Sequence, residues 1–162
     1  MSDTPVDTNL PSGGGHDPDH LVRPLTRERL LTLLRARELD WVEEPTGRFS
    51  LIFEEEDLEM ILTVREGRHA SLHFLAGERD IGPAARLPEA YDYAETWHRT
   101  EPFGTVIIVP GPATFSVRVR LDSSWRAGIS DEQLSFHFER MITVADAAVD
   151  GLKDLMDSLD AL

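Results

Sequence analysis

Six histidines are the side chains best suited here to acid–base chemistry or metal binding near neutral pH. His69 and His73 are four residues apart in a turn and a predicted strand, a spacing that puts them on one face but well separated. His98 is predicted at a helix end, where a basic group suits the dipole, and His137 flanks the apolar stripe of the last helix. No two histidines bracket a Glu at helical spacing, as in a zinc hydrolase. An enzyme would have to use His98 or His73 with neighbouring carboxylates.

Other chemical signatures are missing from the sequence. There is no cysteine, which excludes disulfides, thiolate metal sites and a cysteine nucleophile. No serine stands in a G-x-S-x-G elbow, and the run 13–15 of glycines lacks the Lys of a phosphate loop. His16, Asp17, Asp19 and His20 could hold a divalent ion, but flexible ligands make a specific site unfavourable. We therefore expect no catalytic residues, no metal site and no cofactor.

The chain is strongly acidic, with 30 acidic residues, 16 basic residues and a net charge of −14. A phosphate backbone is bound by neutralising it with Lys and Arg, so nucleic acid is not an expected partner. The N-terminus lacks the basic start and apolar run of a signal peptide, and no window nears about 18 apolar residues. We expect no membrane partner and a location in the bacterial cytoplasm, of an actinobacterial type because Arg greatly exceeds Lys.

The sequence predicts one domain behind a tail. Residues 1–24 are rich in Gly, Pro, Ser, Thr and Asp, which predicts disorder, and residues 25–162 predict the domain. Helices are predicted at 26–38, 88–100 and 130–159. Ser130 and Gln133 form a capping box at the start of the last helix, in which apolar residues recur at spacings of three and four. Four leucines between 30 and 34 predict that the first helix contacts the sheet and also the last helix or another subunit.

Strands are predicted at 41–44, 48–53, 58–64, 70–74, 105–109 and 114–121. Their apolar and polar residues alternate between short turns, which is typical of an antiparallel meander with one buried face. We predict an α+β fold in which an antiparallel sheet of about five to six strands is packed by three helices, in the order α-β-β-β-β-α-β-β-α.

The opposite face of this sheet is predicted to carry apolar residues as well. Ile52, Ile61 and Leu75 have the parity opposite to the core residues of their strands, and the run 106–109 is apolar on both faces. Such a patch marks a partner or dimer surface if it is contiguous. The predicted partner-binding residues are Ile52, Ile61, Leu75 and Ile107 as the apolar contact, with Arg118 and Arg120 orienting an acidic segment.

Several segments of the sequence resemble the YbjN family of bacterial sensory transduction regulators. The matching pieces are Leu25-Thr-Arg-Glu-Arg-Leu30, Ala94-Glu-Thr-Trp97-His-Arg-Thr-Glu-Pro102, the hairpin 105–121 and Gly128-Ile-Ser-Asp-Glu-Gln-Leu134. The resemblance covers residues from about 25 to 159. It implies a fold similar to the type III secretion chaperones, which commonly form dimers and hold partner polypeptides against apolar surface. It also implies regulatory and stress-response roles without a known reaction.

The leading hypothesis is a non-enzymatic, homodimeric interaction module, a chaperone-like or regulatory adaptor that binds a partner polypeptide of unknown identity. The alternative is a small-molecule sensor with a pocket between the helices and the sheet, near Trp41, Trp97 and Trp125.

Overall fold

The computed structural model describes residues 20–52 and 58–161, with only the backbone of Ile52. The fold is α+β, and its elements follow in the predicted order. The helices are α1 (Arg27–Ala36), α2 (Leu87–Thr100) and α3 (Asp131–Asp160). The strands are β1 (Asp40–Glu43), β2 (Arg48–Ile52), β3 (Glu59–Arg65), β4 (Ser71–Pro83), β5 (Thr105–Pro110) and β6 (Thr114–Ser124).

These strands form one antiparallel sheet in the order β1-β2-β3-β4-β6-β5. The first four make a meander, and α2 then carries the chain to the far edge, from which β6 returns to pair with β4. β4 has 13 residues and extends well beyond the predicted 70–74. Its register with β6 shifts between Glu78 and Gly82, and Asp80 has a φ of 55°. The ladder is regular as far as Glu78, where Gly77 weakens the sequence pattern of a strand, and the bulge interrupts the alternation of side chains only beyond that point.

α3 is fixed at its start by the predicted capping box. The Ser130 hydroxyl accepts from the N–H of Gln133, and the Gln133 side chain accepts from the N–H of Ser130, both at 3.1 Å. The buried residues of α3 recur every three or four positions: Leu134, Phe138, Met141, Val144, Ala145, Ala148, Val149, Leu152 and Met156. They pack on β4 and β6, so α3 covers the centre of the sheet.

α1 contacts both the sheet and the start of α3. Its buried leucines belong to the sheet-facing core. On the other side, Arg37 donates to the Ser135 hydroxyl at 2.7 Å and pairs with Glu139. Arg29 donates to the Ile129 carbonyl at 2.7 Å and pairs with Asp131. The second contact predicted for α1 is therefore made by α3 of the same chain.

The chain before α1 is also tied to α3. Arg23 and Ile129 exchange backbone hydrogen bonds of 3.2 and 2.9 Å, so residues 20–24, which the sequence assigns to the tail, contact the loop before α3. The described ranges contain no helix with the length and apolarity needed to cross a bilayer.

Candidate functional site

The helices cover one face of the sheet and leave the other open. We call this second surface the open face. Across it, antiparallel register aligns Ser50, Ile61, Leu75, Arg120 and Thr105 in one row over five strands. Ile61 and Leu75 lie directly opposite each other and are half-buried, and Arg120 beside them is exposed. The register therefore brings three of the six predicted partner-binding residues side by side.

The neighbouring row contains Arg118, which already has an intramolecular partner. It aligns Glu59, Gly77, Arg118 and Ile107. The side chain of Arg118 lies over Gly77, where a Cβ would be 2.5 Å from its Cδ, and Nη1 reaches Glu59 at 3.1 Å. Arg118 therefore forms an ion pair with Glu59 within the chain, and its role in orienting a partner stays a prediction.

The other two predicted residues, Ile107 and Ile52, lie on strands other than those of Ile61 and Leu75. Ile107 is 36% exposed on β5, and the arginines of β6 separate it from Leu75. Ile52 pairs with Asp40 in the β1–β2 ladder, and its side chain lies outside the described residues. The apolar part of the open face thus centres on Ile61 and Leu75.

A polar network borders these two residues. Arg120 Nε pairs with Asp122 at 3.2 Å, Asp122 contacts His73 Nδ1 at 2.8 Å, and His73 Nε2 contacts the Ser71 hydroxyl at 2.9 Å. Ser, His and Asp are joined in the same order in hydrolase triads. However, Ser71 is only 8% exposed and lies on β4, which pairs on both sides. Neighbouring backbone N–H groups therefore serve the strand ladders and do not form an oxyanion hole.

The free edge at β5 is partly closed by His98. Its Nε2 accepts from the N–H of Val106 at 3.0 Å. Because alternate residues of a strand direct their backbone groups to the same side, Ile108 and Pro110 share this outward orientation, and Pro110 has no N–H to offer. A bonded donor and a proline make this edge a poor template for strand addition. His98, predicted as a favourable charge at a helix end or as a catalytic candidate, thus protects a sheet edge.

The open face is less acidic than the chain as a whole. Charged residues on this face include Arg48, Arg65, Arg118 and Arg120, with Asp40, Glu59 and Asp122 as carboxylates. Four arginines against three carboxylates contrast with the net charge of −14. This surface can therefore approach an acidic partner with less repulsion than the rest of the molecule.

Two clefts flank the start of α3. The first, of about 1350 Å³, lies between α1, the loop before α3 and the first turns of α3. The second, of about 610 Å³, lies between the 102–104 loop, the end of β6 and α3. Trp125 lines the first cleft, but neither Trp41 nor Trp97 lines either one. Neither of these two clefts is lined by all three tryptophans, and the pocket of the alternative hypothesis stays a prediction.

Two exposed aromatic residues at these clefts are missing from the predicted site. Phe136 is 68% exposed and lines both clefts, and Phe103 is 49% exposed and lines the second. A sequence signal existed for Phe136, because it stands two residues from both Leu134 and Phe138 and so falls off the apolar stripe of α3. Phe103 follows a proline in a loop and gave no such signal.

Metal ligands are not clustered in the described part of the chain, where no three His, Cys, Asp or Glu side chains group around a possible ion. His16, Asp17 and Asp19, considered above as ligands, lie outside the described residues. His20 is described, and its Nδ1 contacts Glu132 at 2.7 Å.

Together these features define a helix-backed, single-sheet α+β domain with an open sheet face. The sequence profile of the YbjN family, described as "Putative bacterial sensory transduction regulator", matches residues 26–154, and the chain belongs to this family. The crystal structure of YbjN, described as "a putative transcription regulator from E. coli", is similar with a TM-score of 0.60. The likeness covers 84% of this chain and 94% of that chain at 12% identity, which shows the shared fold. Comparison with curated proteins gives no match.

Proposed function

We propose that this chain is a non-enzymatic regulatory adaptor that binds a partner polypeptide across the open face of its sheet, in the manner of a chaperone-like holder. The observation that carries the proposal is the position of Ile61 and Leu75, which lie opposite each other at the centre of the uncovered face with Arg120 beside them. An apolar centre flanked by charge provides affinity together with orientation.

Both edge strands offer few backbone hydrogen bonds to a partner, which favours the open face over an edge as the docking surface. β5 has its Val106 donor bonded to His98 and ends in Pro110, and the opposite edge, β1, has only four residues. An extended partner would gain few backbone hydrogen bonds at either edge. Side-chain contacts on the open face therefore dominate in this proposal.

The charges on the face assign different roles to the two arginines. Arg120 has a side chain 56% exposed and shares Asp122 with His73, so its guanidinium can still meet a partner carboxylate. Arg118 is bonded to Glu59 and acts mainly by holding β3, β4 and β6 in register. Ile107 extends the apolar contact towards β5, and Ile52 extends it towards β1 in this proposal.

The acidic character of the chain favours protein over DNA as the regulated target. The structurally similar E. coli protein is described as "a putative transcription regulator". A chain with net charge −14 is repelled by a phosphate backbone, so regulation by this chain would proceed through contacts with another protein. A second copy of the chain is another possible occupant of the open face, as a homodimer.

Ile61→Asp in the full chain tests the proposal because it places a charge at the centre of the open face. We expect helical circular dichroism to be retained, and the proteins captured by wild-type protein from lysate of the source cells to be lost. A wild-type dimer in light scattering that Ile61→Asp dissociates would identify the second copy as the occupant.

Tyr91→Asp is the matched control, because Tyr91 is 49% exposed on α2. It should leave capture and assembly unchanged. Equal capture and equal assembly in wild type and Ile61→Asp would contradict the proposal.

A further inference from the structure

The second cleft carries positive charge without a matching excess of carboxylates. Its wall from α3 contains Arg140, and its wall from β6 contains Arg120. The guanidinium carbon of Arg140 lies 5.0 Å from the ring centroid of Phe103. No carboxylate within the described ranges forms an ion pair with Arg140, and Asp122, the carboxylate lining the cleft, is shared by Arg120 and His73.

The same cleft carries exposed aromatic surface. Phe103 and Phe136 stand at its rim, 49% and 68% exposed, and Leu121 and Met141 lie deeper among its lining residues. Large aromatic side chains exposed together are characteristic of binding surfaces, especially beside arginine. Stacking on Phe103 also holds the Arg140 guanidinium in place, so less side-chain entropy is lost when it binds an anion.

The imidazole in this cleft does not add to its charge near neutral pH. His137 contacts the Ser123 hydroxyl and stands edge-on to Trp125, with ring centroids 4.8 Å apart. Burial lowers the pKa of His137 below its usual 6.5. The positive charge of the cleft therefore comes from guanidinium groups, which stay charged at all physiological pH values.

We propose that this cleft is the anchor point for an acidic segment of the partner polypeptide, in which one large apolar side chain enters between Phe103 and Phe136. Flanking carboxylates of the segment pair with Arg140 and Arg120. The inference rests on the proposed function, since it assumes that the chain binds a polypeptide, and it adds where that polypeptide is anchored and what chemistry it carries. Arg120 belongs to both surfaces, so the segment continues from the cleft onto the open face.

The volume of the cleft and the charge balance favour this occupant. A space of about 610 Å³ accommodates an aromatic or aliphatic side chain with adjoining backbone. A second copy of the chain, also at −14, would bring its own acidic surface but must overcome repulsion between the two molecules. A short acidic segment provides the carboxylates without that global repulsion.

The test uses short acetylated and amidated peptides added to the ¹⁵N-labelled full chain, with binding followed by amide chemical shifts. The main peptide carries one Phe between Asp and Glu residues. Its three controls replace the acids by Asn and Gln, replace the acids by Lys, or replace the Phe by Ser. We expect only the main peptide to bind, shifting the amides of Gly104, Ser123 and Phe136 in a saturable way.

Two exposed positions provide variants that keep the fold. Arg140→Gln and Phe136→Ser should each weaken binding of the main peptide by roughly threefold to tenfold. Arg68→Gln and Tyr91→Ser are matched controls, because Arg68 is exposed in the turn between β3 and β4 and Tyr91 is 49% exposed on α2. Both controls should bind the peptide as wild type does.

Other outcomes would overturn the inference. Binding of the Lys peptide as tight as that of the acidic one, or wild-type affinity in Arg140→Gln, would remove the charge argument. Tighter binding of 3-phenylpropionate than of the peptide would make a small organic acid the ligand. Amide chemical shifts confined to Ile61 and Leu75 would refute the cleft as the anchor point but leave the proposed function intact. That function is tested separately by the capture experiment with Ile61→Asp.

Discussion

Gly77 shows how one missing side chain organises the centre of the open face. Its position on β4 lets the Arg118 side chain cross the strand and reach Glu59 on β3. A Cβ at residue 77 would lie 2.5 Å both from Arg118 Cδ and from the carbonyl oxygen of Val117. The backbone contact cannot be relieved by moving a side chain, so the β4–β6 pairing itself requires glycine here.

Gly77→Ala is therefore expected to lower the free energy of unfolding by about 1–3 kcal/mol, the usual cost of forcing extra volume into a packed site. Urea unfolding followed by circular dichroism measures this change. The cost should persist in an Arg118→Ala background, because the Val117 carbonyl remains. A Gly77→Ala variant as stable as wild type would show that the two strands separate freely at this point.

His137 gives the stability of the fold a pH dependence. Burial lowers its pKa below the usual 6.5, so at pH values just below 6.5 the unfolded chain binds a proton that the folded chain does not. Stability contributed by the neutral imidazole is therefore lost as the pH falls from about 7 to about 5. We expect a smaller loss of unfolding free energy over this range in His137→Gln than in wild type. An unchanged slope in His137→Gln would contradict the assignment.

At the scale of elements, α2 and α3 are fitted to each other at Gly151. The Tyr93 hydroxyl on α2 donates to the Ala148 carbonyl of α3 at 2.9 Å, and a Cβ at residue 151 would lie 2.6 Å from that hydroxyl oxygen. Glycine inside a helix normally costs about 1 kcal/mol relative to alanine. Here it leaves room for a hydrogen bond that joins the two helices covering the sheet.

A double-mutant cycle separates these two effects. In wild type, Gly151→Ala should destabilise the fold by about 1 kcal/mol, because the loss of the Tyr93 contact outweighs the gain in helix propensity. In a Tyr93→Phe background the same change should stabilise it, giving a coupling of roughly 1–2 kcal/mol. Thermal and urea unfolding provide the four free energies. Additive effects would mean that Tyr93 adjusts to the added methyl group without cost.

For the whole molecule, charge is distributed unevenly around a sheet covered on one side. The acidic side chains that give the chain its net charge of −14 repel one another in the compact state. The open face and the second cleft instead contain arginines from different strands and from α3. The ion pairs that link elements, such as Arg37 with Glu139 and Arg118 with Glu59, are partly exposed and individually weak. Global repulsion is therefore the larger electrostatic effect on stability.

Salt should accordingly stabilise this protein. Raising NaCl from about 0.02 M to about 0.5 M shortens the screening length to a few ångströms and weakens the repulsion. We expect the melting temperature to rise by roughly 2–4 °C, equivalent to about 1 kcal/mol for a chain of this size. Differential scanning calorimetry measures the shift, and sucrose in place of salt gives a control for uncharged solutes. A lower melting temperature in salt would mean that the inter-element ion pairs dominate.

The sequence by itself determined the elements and the parity of their side chains. Periods of two and of three to four residues placed all three helices and all six strands, and the Ser130 capping box fixed the start of α3, because these signals act between residues close in the chain. The family resemblance carried by short segments is confirmed by the family match and the shared fold.

Only the tertiary structure decided which distant residues meet. The order β4-β6-β5 placed Leu75 beside Arg120, pairing with β6 continued past the bulge at Asp80 and so extended β4, and the turn from α2 into β5 brought Val106 to His98. The cleft of Phe103 and Phe136 likewise joins a loop to a helix that starts far along the chain. Such contacts depend on how strands are ordered and how helices pack across them, and no local pattern of apolar residues encodes that choice.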